Sequence, residues 1–100
     1  MTDVWASGNW VVIEGREADF ISRWTEWLEW TRDTAPGFIR ATLMRGVHQS
    51  RHFVSVGEWR DADSRSKWQA DPGFAERLAG VRVLCEESTT DNYERAALVE

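Results

Sequence analysis

The chain has 100 residues, 17 acidic against 12 basic side chains for a net charge of −5, and 42% hydrophobic residues. That length holds a single domain over residues 1–100, the hydrophobic fraction excludes a disordered chain, and the acidic balance offers no basic surface to nucleic acid or an anionic membrane. No apolar run approaches the roughly 20 residues of a bilayer span.

The N-terminal Met1-Thr2-Asp3-Val4 lacks the basic and apolar regions of an export leader, so a cytoplasmic location is expected. The lone Cys85 precludes an internal disulfide or a cysteine-built metal cluster. One count is out of range: tryptophan occurs seven times, at Trp5, Trp10, Trp24, Trp27, Trp30, Trp59 and Trp68. So small a core needs few such rings, and the surplus asks what they face.

Residues 9–14 (NWVVIE) are apolar and β-branched, the pattern of a strand buried on both faces, and Gly15 ends it. Over residues 17–34 the period changes. Phe20, Ile21, Trp24, Trp27 and Leu28 form one helical stripe, with Glu17 and Asp19 in the first turn, where the helix dipole favours acids. Trp24 and Trp27 either pack in the core or roof a pocket. Trp30 lies off the stripe and is expected, like Trp5, to be exposed or between subunits. Ala35-Pro36-Gly37 stops the helix.

Residues 38–45 (FIRATLMR) alternate as a second strand, with Ile39, Ala41 and Leu43 on one side and Phe38, Arg40, Thr42 and Met44 on the other. Arg40, a charge among apolar neighbours, needs a partner, expected across a dimer first and from a ligand second. Residues 46–50 are a polar hairpin loop and 51–60 a third strand. Asp61 caps a short helix to residue 70, Asp71-Pro72-Gly73 interrupts it, and Phe74, Leu78 and Val81 mark a further helical face. A weaker strand falls within residues 88–98.

This order, β-α-β-β-α-β, predicts a ferredoxin-like α+β fold with an antiparallel sheet. Its helices cover one sheet face, yet the strands carry apolar side chains on both. A second copy, sheet against sheet, is therefore expected, giving a homodimeric α+β barrel. On the third strand Phe53, Ser55, Gly57 and Trp59 share a face. Two aromatics flank two small residues and leave a hollow that suits a flat aromatic ligand, with the Trp59 indole as wall and donor. His48 falls in the hairpin loop. His52 faces away from Phe53, toward the second copy, where a base role is open. No His/Asp/Glu cluster has ligand spacing, and no phosphate loop or nucleophile elbow appears, so metal, flavin and nucleotide sites have no support.

Ala35-Pro36-Gly37-Phe38, the run Phe53-Val54-Ser55-Val56-Gly57-Glu58-Trp59, and Trp68 with Ala70-Asp71-Pro72 resemble the antibiotic biosynthesis monooxygenase family. The resemblance covers residues 9–98. It implies a homodimer with one pocket per subunit between sheet and helices. It also implies kinship with cofactor-free oxygenases that turn polycyclic phenols into quinones, and with haem-degrading enzymes. Trp59 matches a pocket tryptophan of the quinone-forming members, whereas Ser55 and Arg65 stand where those members have asparagine and tyrosine. Trp68 and Asn9 match or adjoin haem-degrading positions, but Arg77 and Leu78 stand where a histidine is required.

The resemblance thus implies a cofactor-independent monooxygenase using molecular oxygen on a phenolic small molecule. Trp59, Ser55, Arg65 and Asn9 would be its catalytic residues, and Phe53, Gly57, Trp68, Trp24 and Trp27 its substrate-binding residues. The alternatives are a haem-binding or haem-degrading monooxygenase and a non-catalytic ligand-binding dimer, the latter favoured by the missing Asn, Tyr and His.

Overall fold

A computed structural model describes residues 4–100; the leader-free reading of the first three positions lies outside the described residues. The elements run β1 (Val4–Val12), α1 (Glu17–Thr34), β2 (Phe38–Arg45), β3 (His52–Trp59), α2 (Ala62–Ala70), α3 (Pro72–Arg82) and β4 (Cys85–Glu94). The four strands form one antiparallel sheet in the order β2-β3-β1-β4. This is the expected ferredoxin-like α+β arrangement, with the second helical region split in two. No helix among the described residues is long and apolar enough to cross a membrane.

β1 starts five residues before the predicted strand and ends two before its predicted end. Ser7-Gly8-Asn9 reads as turn chemistry, but both its edges are hydrogen-bonded, to β3 and to β4, and that pairing holds it extended. β4 likewise begins at Cys85, where it pairs with Val12 across a register shift, and ends at Glu94 instead of running toward residue 98.

α1 buries Phe20, Trp24, Trp27 and Thr31, spaced four, three and four apart as one helical face requires. Gly37 then turns the chain at φ +90°, and any side chain there would also collide with Ser64. α2 starts at Asp61, whose carboxylate accepts the Ser64 N–H at 2.7 Å; that bond, with Ser64 and Arg60 beside it, holds the Asp61 pKa below the usual carboxylate range. Asp71 ends α2 and caps α3 by accepting the Gly73 N–H at 2.7 Å, while Pro72 takes the first helical position, where its missing donor costs nothing.

The helices cover one sheet face, over Val4, Trp10, Val12, Phe53 and Trp59. The other face carries Trp5, Val11, Met44, Val54, Val56 and Tyr93, and among the described residues no helix covers it; Val54 stays 41% and Met44 49% exposed. A register shift between Phe38 and Arg40 corrects the predicted alternation of β2. Phe38 turns to the helix side and packs edge-on against Trp59 at 5.5 Å, while Ile39 is exposed.

Within the chain Arg40 pairs with Glu58 of β3 at 3.2 Å. Trp30 is half-buried between α1 and α3, against Gly73 and under the Arg77 guanidinium at 4.2 Å. Trp5 lies beneath Arg95 at 5.8 Å.

Candidate functional site

On the helix-covered face the strand residues align in rows. Two neighbouring rows, Ala41–Gly57–Ala6–Asn92 and Leu43–Ser55–Gly8–Thr90, carry little bulk over β3 and β1. The rows outside them carry Phe38 and Trp59 on one side, Phe53 and Trp10 on the other. Between these aromatic ridges and the helices lies a cavity of about 170 Å³. Trp24, Trp27 and Leu28 of α1, Trp68 and Gln69 of α2, and Phe74 of α3 form its roof. A dry cavity of about 150 Å³ holds one benzene ring, so this volume suits an aromatic ring, with further substituents at the open ends.

Trp10 shapes the floor. Its indole lies across Gly8, so that a Cβ there would sit 2.6 Å from Trp10 Cε2, and it donates from Nε1 to Ser55 Oγ at 3.1 Å. That bond uses one lone pair of Ser55 and leaves its hydroxyl proton for another acceptor. The roof is fixed by a second chain of bonds. Trp68 Nε1 donates to Thr31 Oγ1 at 2.9 Å, and Thr31 Oγ1 donates to the Trp27 carbonyl at 2.9 Å. Trp68 stacks on Trp27, centroids 5.8 Å apart and planes 17° apart, and leans on Trp59 at 4.8 Å. Trp27 Nε1 is buried with no partner among the described residues. A buried donor without an acceptor is costly, and this one belongs to a cavity wall.

The lining contains no lysine, arginine or histidine. Its only ionisable residue, Asp91, pairs with Ser7 on the opposite sheet face and accepts the Asn92 N–H at 2.8 Å. Apart from Asp91, the lining presents aromatic surface and neutral hydrogen-bonding groups. Among the described residues no cluster of three His, Cys, Asp or Glu side chains is placed to hold a metal ion.

Six of the residues singled out in the sequence meet at this cavity: Ser55, Gly57, Trp59, Trp68, Trp24 and Trp27. Three do not. Phe53 is buried beside it, against Phe20 at 4.9 Å and under Arg45 at 4.9 Å. Arg65 donates to the Trp5 carbonyl at 2.8 Å and the Tyr93 carbonyl at 3.3 Å, fastening α2 to β1 and β4. Asn9 pairs with Val54 and Thr89 and is exposed on the opposite face.

Both histidines are exposed and neither lines the cavity. The lining thus offers no imidazole, thiolate or phenolate to a haem iron, and its residues do not fit that group.

Trp10, Phe38, Gln69 and Asn92 escaped the sequence reading. Trp10 had a signal: Ala6-x-Gly8-x-Trp10 repeats the small-x-small-x-aromatic spacing of Ser55-x-Gly57-x-Trp59. Phe38 had none, because only the bulge turns it inward.

An antiparallel ferredoxin-like sheet with one helix-covered aromatic cavity defines the class, and the chain belongs to the antibiotic biosynthesis monooxygenase family, whose model matches residues 6–79. The structure resembles that of SnoaB from Streptomyces nogalater, a cofactor-independent oxygenase, at 26% identity and a TM-score of 0.82, covering 100% of this chain and 97% of that one. A SnoaB variant matches with a TM-score of 0.87 at 25% identity, over 97% of this chain and 96% of that one. The deoxynogalonate monooxygenase of the same organism is 35% identical over 49 residues, which are 49% of this chain and 42% of that protein. The chain thus matches under half the length of that curated relative. A conserved protein from Methanosarcina mazei Go1 shares the fold at 16% identity, with a TM-score of 0.81 over 93% of this chain and 92% of that one.

Proposed function

We propose that the chain is a cofactor-independent monooxygenase that converts a phenolic arene to a quinone, working as a homodimer with one cavity per subunit. The observation that carries this reading is the aromatic slot itself, a space of ring size lined by Trp24, Trp27, Trp59 and Trp68 and by Ser55, whose hydroxyl proton is not used by its bond from Trp10. The name and activity of SnoaB support it.

In this chemistry the substrate supplies all the electrons. The phenolate form gives up electron density to oxygen, a C–O bond forms at a ring carbon bearing hydrogen, and the resulting hydroperoxide loses water. The products are one quinone and one water, the four electrons needed by O₂ coming from the ring. The protein's part is to bind the ring between Trp59, Trp68 and Trp27, to exclude water, and to donate hydrogen bonds to the oxygen on which charge develops.

Tryptophan quenching by 2-naphthol should saturate at one ligand per chain. Trp59→Ala should weaken that binding at least about tenfold through lost stacking surface, and Ser55→Ala should slow oxygen consumption while the fold is retained. Unchanged naphthol affinity in Trp59→Ala would remove this site from consideration.

A further inference from the structure

At the β4 edge of the cavity two amide side chains join across the opening. Gln69 of α2 donates from Nε2 to Asn92 Oδ1 at 2.7 Å, and Asn92 donates from Nδ2 to Gln69 Oε1 at 3.4 Å. Both residues line the cavity, Gln69 half-buried and Asn92 exposed. The pair is reciprocal and uncharged. Each amide keeps one donor hydrogen and one acceptor lone pair unused by the other. Thr90, next on the same face of β4, adds a hydroxyl to this end of the lining, where it accepts from Arg82 Nη2 at 3.3 Å.

The opposite end differs in character. Ser55 lies on β3, and β1 separates β3 from β4. The Ser55 row thus reaches β4 after two strand spacings, about 10 Å. In between, the floor is Ala6, Gly57 and the Trp10 indole lying across Gly8, whose one polar atom, Nε1, is spent on Ser55. The slot therefore has two polar poles and an apolar middle. A ring bearing oxygen at one end only would leave the amide pole facing apolar substituents or water.

We infer that the Gln69–Asn92 pair is a second recognition pole, and that the substrate is an arene oxygenated at both ends. One oxygen would lie at Ser55 and the other between the two amides, which would part to exchange their mutual bonds for bonds to it. This inference rests on the aromatic-slot reading above and deepens it.

The test compares 2-naphthol with 2,6-dihydroxynaphthalene on the intact protein, by tryptophan quenching under nitrogen. The wild-type chain should bind the diol about tenfold more tightly, the size of one well-made buried hydrogen-bonding contact. Gln69→Met and Asn92→Leu keep volume and remove the amides. Each should weaken the diol more than 2-naphthol and so bring the two affinities within about twofold of each other. Asn92→Gln should restore part of the preference. Equal affinities in the wild type, or variants that weaken both ligands alike, would overturn the second pole while leaving the slot assignment standing. Absence of binding by either ligand would overturn the slot reading and this inference with it.

Discussion

At Gly8 the Trp10 indole occupies the volume a side chain would need. Gly8→Ala must therefore displace the indole, break its bond to Ser55 and push it into the cavity. We expect a loss of about 1–3 kcal/mol, the usual cost of overpacking, together with loss of naphthol quenching; thermal unfolding and titration check both. Cys85 behaves differently. Burial raises its thiol to about 11 from a reference of 9.0, so little thiolate is present near neutrality. Alkylation by iodoacetamide at pH 8 should run about 100-fold more slowly in the native protein than in urea, as a two-unit shift in thiolate population requires. At this scale the sequence was informative where periodicity was strict. Ser55, Gly57 and Trp59 announce the hollow by alternation alone. Gln69 and Asn92 belong to elements whose relative placement no local pattern encodes, so their meeting was not legible.

Thr31 joins two helices through one hydroxyl, accepting from Trp68 and donating to the Trp27 carbonyl. Thr31→Val keeps the volume but leaves the Trp68 N–H buried without an acceptor. A destabilisation of about 1–3 kcal/mol is expected, visible as a lower urea midpoint at unchanged slope. The Asp61 cap of α2 has its own pH signature. Its folded pKa is lowered, so its contribution is complete above the ordinary carboxylate range and is lost as pH falls through the lowered value. Element order, the α1 limits and the break at Pro72 were legible because helix stripes, caps and proline act locally. The start of β1 was not, since Ser7-Gly8-Asn9 favours a turn until β3 and β4 pair with it. The twist of Phe38 toward the helices depends on a bulge for which β2 carries no local signal.

Over the whole molecule the sheet has one finished face and one open one. Trp5, Val11, Met44, Val54, Val56 and Tyr93 form an apolar surface that a second copy can bury. Sedimentation at micromolar concentration should give twice the chain mass, and Val54→Lys should shift it toward the monomer; a monomeric wild type would refute the homodimer. The cavity between sheet and helices imposes a directional limit on change. Between Trp10 and Trp59 its floor is made of Ala6, Gly8, Ser55 and Gly57, side chains with almost nothing left to remove. Substitutions there can only narrow the space. Any descendant or engineered form that takes a larger substrate must gain its room from the ridges and the roof, where Phe38 and Trp59 on the strands and Trp24, Trp27, Leu28, Trp68 and Phe74 on the helices have bulk to lose. Libraries aimed at these bulky positions should therefore widen substrate range, and libraries aimed at the small floor residues should only restrict it.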